Sequence, residues 1–329
     1  MAPSIRDAIH LVEGSSAMGW LMSMRVKRGA RTDDRLTSGP CDIDPDRHAE
    51  LRRRWDREVA PGVEWRSLLD LAALRQRIDD DALVVLWGTR AYSNLVWMWW
   101  ALDALERIGV ARSRCVLARP HSDDPFAIVG AFDADEMRDA FAAATEATED
   151  QWREGRELWI KFASPSPLAF DEARRRGSSA WPELTASADL HGAWFPRVID
   201  GRLLLSELDE ELLGNIGDGS DEPRKIIGTL PDHRISQLVG MFDAYFHVER
   251  LRQWATLGVL EREAGEGMSP YVQDRFRVTD RARALLNDGL EHVSDAPPMY
   301  VGGCRVNDPA SPWVRIEDDA GWHLALHAD

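Results

Sequence analysis

Five apolar residues in a row, Leu83-Val84-Val85-Leu86-Trp87, are closed by Gly88-Thr89-Arg90 and followed by the most apolar helical stretch of the chain, Ala91 to Ile108, which stops at Gly109. A run that short with no polar interruption predicts a strand covered on both faces, the situation of a parallel sheet. Cys115-Val116-Leu117-Ala118 supplies a second such run, ended by Arg119-Pro120-His121. Upstream the same order is found once more. Ile9-His10-Leu11-Val12 is followed by Glu13-Gly14-Ser15-Ser16 and then by helical composition from Ala17 to Lys27, with Gly29 as a stop. Strand, helix, strand, helix, strand predicts right-handed crossovers.

The chain of 329 residues has room for more than that unit. The expected fold class is α/β, with an open, mostly parallel, Rossmann-like sheet domain over residues 1–130. Within it, a polar stretch from Ala30 to Asp46 leads to helices at Arg47 to Glu58 and Leu68 to Ile78; Asp46 is the expected N-cap, and Leu51 and Trp55 form an i, i+4 stripe. A helical middle region and linker is expected over 131–224. Its helices fall at Phe132 to Thr148, from Gln151 to the Pro165 and Pro167 region, and at Leu203 to Leu213, before the Gly/Asp-rich linker Gly214 to Arg224. Residues 225–329 change rhythm. Helices at Ile235 to Phe246 and Val248 to Leu257, strands at Val259 to Glu263 and Tyr271 to Val278 around a Gly265-Glu266-Gly267 turn, and a Thr279-capped helix Arg281 to Leu290 make a winged-helix-like pattern. A further β-hairpin is expected from Tyr300 to Val306 with Trp313 to Ile316.

Several of these residues also carry a family likeness. Gly14-Ser15-Ser16, Ser38-Gly39-Pro40 with Trp55, and Leu86-Trp87 before the aromatic helix resemble domain-of-unknown-function family 1835, as does the middle segment from Leu158-Trp159 to Phe170-Asp171. Pro298-Met299-Tyr300-Val301-Gly302-Gly303, with Trp313 after it, is similar to the companion C-terminal family 3658. The resemblance implies an arrangement of segments and no activity. The family often shows Gly-Asp-Ser after its first strand, where this chain has Gly14-Ser15-Ser16 preceded by Glu13.

Charge narrows the partners. Against 40 Lys and Arg stand 56 Asp and Glu, a formal net charge of −16, which repels polyanions on average. From Pro231 to Leu290 eight arginines face nine acids, and the wing would carry Glu261, Glu263 and Glu266. Phosphate neutralisation dominates DNA affinity, so DNA is the disfavoured partner. Cys41, Cys115 and Cys304 are widely spaced and include no CxxC pair, which fits reduced thiols rather than a zinc or disulfide framework. Met1 to His10 lacks an apolar signal core, and Leu95 to Leu105 is too short to span a bilayer. The expectation is a cytoplasmic protein with no membrane partner; a homodimer is left open.

The candidate site lies where the parallel strands end. Open α/β sheets bind ligands at their carboxyl edge. Gly14, Ser15 and Ser16 would present backbone amides at a helix start, and Gly88, Thr89 and Arg90 would do the same one crossover later. Arg119 and His121 end the next strand, so two guanidiniums and several hydroxyls would surround one cleft suited to a phosphate or carboxylate. The competing reading is ordinary caps, turns and surface arginines. Neither GxGxxG nor GxxxxGK[ST] occurs at these turns, so a classical dinucleotide or P-loop nucleotide site is disfavoured, and the cofactor is unknown. Three other constellations weigh less. Ser15 or Ser16 with His121 and Asp123 would make a nucleophile, base and orienter, but serines at helix starts are usually caps. Asp42, Asp44, Asp46 and His48 could gather around a hard cation, but turn and cap roles are favoured and no metal is expected. Tyr92, Trp97, Trp99 and Trp100 could stack on a base, but a core helix is favoured. The expected function is binding of a small anionic ligand, a nucleotide or a phosphorylated or carboxylated metabolite, with transfer or hydrolysis as the reaction type if there is one. The alternative is a ligand-sensing regulator or adaptor whose C-terminal unit contacts DNA or a protein.

Overall fold

A computed structural model describes residues 5–32, 36–59, 71–78, 81–217, 221–228, 244–265, 273–319 and 321–327. The chain begins β1 (Ile9–Glu13), α1 (Ser15–Ser23), β2 (Arg28–Thr32), β3 (Gly39–Pro40), α2 (Pro45–Val59), α3 (Leu71–Arg77), β4 (Val84–Trp87), α4 (Tyr92–Arg107) and β5 (Cys115–Ala118). It continues α5 (Ala134–Ala142), β6 (Thr145–Glu146), α6 (Glu149–Phe162), α7 (Leu168–Arg176), α8 (Leu184–Ser187), β7 (Arg197–Ile199), β8 (Arg202–Leu204) and α9 (Glu207–Gly214). The last part holds α10 (Pro223–Gly228), α11 (Ala244–Thr256), β9 (Leu260–Glu263), β10 (Arg275–Val278), α12 (Asp280–Asp288), β11 (Met299–Gly302), β12 (Cys304–Val306), β13 (Trp313–Asp318) and β14 (Gly321–Leu326).

The first three apolar runs form the centre of a five-stranded sheet of order β2-β1-β4-β5-β6. The β2–β1, β1–β4 and β4–β5 pairs are parallel, and the short β6 closes the edge antiparallel to β5. Period-2 alternation divides these strands cleanly between two faces. Ile9, Leu11, Val84, Leu86, Cys115 and Leu117 join the larger apolar cluster with α4 and α6. Val12, Val85, Trp87 and Ala118 join a smaller one with Ala17 and Leu21 of α1 and Met137 and Ala140 of α5. The mixed α/β class with mostly parallel pairing is therefore the observed one, and the sheet is covered on both sides.

Trp97, Trp99 and Trp100 of the aromatic helix are buried to between 0 and 6% exposure, which makes α4 a core helix. Burial of such a side chain contributes roughly 1.5–3 kcal/mol. The larger cluster runs on through α6, α7, α9, α11 and β13 to Leu324. Strands from distant parts of the chain meet: β3 pairs parallel with β11, and β13 pairs parallel with β7. Among the described residues no helix is long and apolar enough to cross a membrane. The three cysteines are buried thiols, and burial pushes Cys115 and Cys304 up to about 12.

Some elements differ from expectation. The stretch read as a helix from Leu203 opens as a strand. Asp200-Gly201, with φ of 51° and 75°, turns β7 back onto β8, an Asp-Gly hairpin signal in the sequence. The proposed break between Phe246 and Val248 is absent: α11 runs through both, and residues 235–243 and the Glu266-Gly267 turn lie outside the described residues. Tyr300 to Val306 folds back on itself as β11–β12, while Trp313 pairs with Leu326 in β13–β14. The cap of α2 is Asp44, not Asp46: its carboxylate accepts from the amides of Asp46 and Arg47 at 3.0 Å, with Pro45 opening the helix.

Candidate functional site

Because β1, β4 and β5 are adjacent and parallel, the turns that follow them lie along one edge of the sheet. Gly14 follows β1 with φ 84° and ψ 159°, a conformation an L side chain rarely adopts, and α1 starts on the next residue. Gly88 follows β4, and its amide donates to the Ala118 carbonyl at 3.2 Å, tying the second turn to the third. Arg119 follows directly on β5.

Beneath these turns lies a buried polar network. Asn94, on the first turn of α4, donates its Nδ2 to Glu13 Oε2 at the end of β1. Its Oδ1 accepts from the Thr89 hydroxyl at 3.0 Å and from the Val129 amide at 3.0 Å. Thr89 Oγ1 in turn accepts from the Ala91 amide at 3.1 Å, a turn that leads into α4. Glu13, Thr89 and Asn94 are all buried. The 3-10 turn Val129–Ala131 sits against α1: a Cβ on Gly130 would lie 3.0 Å from Ser16 Cβ.

Neither α1 nor α4 carries a side-chain cap or an acid in its first turn. By contrast α5, α6, α9 and α12 are capped by Asp133, Thr148, Ser206 and Thr279. Neither helix thus has an acid within its own first turn; the nearby acid is buried Glu13, which precedes Gly14 and is held by Asn94 on the first turn of α4.

The arginines are tethered. Arg90 Nη2 donates to the Asp123 carbonyl, and the Arg90 carbonyl accepts from Ser187 Oγ at 2.6 Å. Arg119 donates to Glu183 Oε1 at 2.7 Å, with both side chains about a quarter exposed. His121 and Asp123 approach to 3.7 Å but stand fully in solvent. That spacing is too long for the hydrogen bond that orients a catalytic base. The serine, histidine and aspartate constellation therefore lacks its base-orienting contact. The alternating aspartates are spent locally: Asp42 takes the Asp44 amide at 2.9 Å and Arg47 at 3.0 Å, while His48 Nδ1 accepts from the Asp42 amide at 3.1 Å.

The edge thus gathers Gly14, Ser16, Gly88, Thr89, Arg90 and Arg119, and leaves His121 projecting outward. Four participants escaped the sequence reading: Asn94, Gly130, Glu183 and Ser187. Asn94 had a signal, since it is the one amide side chain in an otherwise apolar and aromatic helix start. Glu183 and Ser187 had none, because only the tertiary fold brings α8 to this edge.

Between residues 244 and 290 most described arginines are held by acids, while Arg281 donates to the Leu257 carbonyl at 2.7 Å. Arg252 and Arg262 share Asp274 at 2.7 and 2.9 Å, Arg275 meets Glu222, Arg277 meets Glu261 and Arg283 meets Asp280. Arg250 is fully buried on Asp209. No family model matches the chain, and no curated protein matches it.

Proposed function

We propose that this protein binds a small anionic molecule bearing hydroxyl groups, a phosphorylated or carboxylated metabolite or a nucleotide, at the carboxyl edge of the five-stranded sheet. In this reading residues 1–130 are a Rossmann-like unit. The observation that carries it is the pair of uncapped helix starts, α1 after Gly14 and α4 after Thr89, on neighbouring strands of one parallel sheet. Backbone amides at such positions bind anions without a dedicated side chain. Arg90 and Arg119 flank them and would supply the countercharge. Glu13, fixed by Asn94, would form the floor and accept a ligand hydroxyl, the role an acid after the first strand would otherwise fill. If the ligand reacts, transfer or hydrolysis is the class that two guanidiniums and helix-start amides serve, by stabilising developing negative charge.

The likeness to families 1835 and 3658 stays a proposal about arrangement. The winged-helix-like unit of α11, β9, β10 and α12 is read as a structural or protein-contacting element, since its arginines other than Arg281 already have acidic partners.

Thermal unfolding of the full chain with and without pyrophosphate tests the site. Pyrophosphate is expected to raise Tm in a saturable way. Arg90→Gln and Arg119→Gln together should abolish the rise; in the ligand-free chain they remove one partly buried ion pair and one hydrogen bond to a backbone carbonyl, a loss of about 1–3 kcal/mol. An equal rise in the double variant, or none in the wild type, would reject the site.

A further inference from the structure

A second site is built where the motifs at positions 38–40, 55 and 300–303 come together, and it shares no residue with the sheet edge. A cavity of about 430 Å³ opens between α2, the turn after α6 and the β11–β12 hairpin. That volume falls in the range of small-molecule sites, roughly 300–1,000 Å³. On α2 its wall is one helical face: Arg47, Leu51, Arg54, Trp55 and Glu58 are spaced as i, i+4, i+7, i+8 and i+11. The adjoining face of the same helix carries His48 and Arg52 into the interior, each 1% exposed. Leu51 and Trp55 therefore line the cavity, and Trp55 also packs against the edge of the apolar core.

The walls are fixed before any ligand arrives. Cys41 N donates to the Gly302 carbonyl at 2.8 Å, extending the β3–β11 pairing, and Gly303 N donates to the Phe162 carbonyl at 3.0 Å. A Cβ on Gly303 would collide with the Ala163 carbonyl, so only glycine lets these two backbones meet. The Trp55 ring is held by the Arg52 guanidinium, 4.8 Å from its centroid, and by Phe246 at 6.0 Å. Tyr300 contributes the second aromatic wall. At the mouth, Arg47 and Arg54 contact Asp42 and Glu58 through Nε at 3.0 and 2.9 Å, yet remain 71% and 72% exposed. A guanidinium has five N–H donors in a planar fork, so one acid held through Nε leaves the terminal amino groups to a second anion.

We propose that this cavity binds a planar ring carrying one anionic group, with the ring against Trp55 and Tyr300 and the anion at Arg47 and Arg54. Pre-positioned aromatic walls lower the ordering cost of binding, and the mouth supplies bidentate donors.

Isothermal titration of the full chain with indole-3-acetate tests it, with indole and acetate as controls. Indole-3-acetate should bind at one saturable site, indole about tenfold more weakly, and acetate not at all. Changing Arg47→Gln and Arg54→Gln together should bring indole-3-acetate down to the affinity of indole and leave indole unchanged. Ile43→Trp, which fills the mouth from an exposed position, should abolish both. All three positions are exposed, so the variants should keep the wild-type circular dichroism. No saturable binding of indole-3-acetate, or binding that these variants leave unaltered, would overturn the proposal. Neither result bears on the pyrophosphate experiment, which reads the other site.

Discussion

At the sheet edge, Glu13, Asn94 and Thr89 form a buried network from a strand end, a helix start and a turn. At Asp209 a buried network of another kind joins α9 to α11. Arg250 Nε and Nη2 donate to Asp209 at 2.8 and 2.6 Å, Trp254 Nε1 adds 2.9 Å, and the Ser206 hydroxyl adds 3.0 Å. Arg250 Nη1 reaches the Pro297 carbonyl, which also accepts from Asn307 Nδ2 at 2.9 Å. Both partners of this ion pair are at most 1% exposed. The donors around Asp209 point inward and end on protein, so the cluster fixes α9, α11 and the loop before β11 against one another. The edge network instead borders on helix starts and partly exposed arginines. The Asp209 network ties three segments together; the edge network fixes the turns from which α1 and α4 begin.

Breaking the closed network should cost most. Asp209→Ala leaves a buried guanidinium without its anion, and a loss of about 3–5 kcal/mol is expected in chemical denaturation. Asn94→Ala at the edge removes a neutral hub and should cost about 1–3 kcal/mol. If the two losses were equal, the contrast between the clusters would fail.

Acid sharpens the same contrast. Burial, the largest cause in each case, lowers His48, His191 and His247 to about 3 and His10 to about 4 from the ordinary 6.5. Nearby Arg52, Arg174 and Arg250 lower the first three further, while Asp209 opposes the shift at His247 and the Ile5 carbonyl opposes it at His10. The unfolded chain therefore binds more protons than the folded one between about pH 3 and 6.5. Stability is complete above pH 6.5 and falls as pH drops toward 4, by about 1.4 kcal/mol per pH unit for each histidine. His247 stands beside the Asp209–Arg250 pair, and neither of its ring nitrogens has a hydrogen-bond partner among the described residues. His247→Leu should flatten the slope by one histidine's share, read from denaturation midpoints at pH 7, 6 and 5. An unchanged slope would show that His247 titrates normally.

The central strands were legible because both faces of β1, β4 and β5 are apolar, and the turns after them were legible because strand ends in a parallel sheet share an edge. The sheet's border was not. The sequence of β2, Arg28-Gly29-Ala30-Arg31-Thr32, has little apolar signal, and β6 is two exposed residues. Pairing across the chain was hidden for a similar reason: β3 is only Gly39-Pro40, and nothing local announces that it lies beside Val301-Gly302. In the candidate site, the glycines and arginines showed themselves by position, whereas their tethers did not. Asp123 offers Arg90 a backbone carbonyl, a group every residue has, and Glu183 reaches Arg119 from 64 residues away.

A crystal of the full chain soaked in pyrophosphate tests the sheet-edge site most directly. The expected result is the anion within hydrogen-bond distance of the amides that open α1, with Arg90 or Arg119 turned onto it from its present tether. Pyrophosphate bound only elsewhere, with the Arg119–Glu183 pair and the Arg90–Asp123 contact intact and the edge closed over, would contradict it.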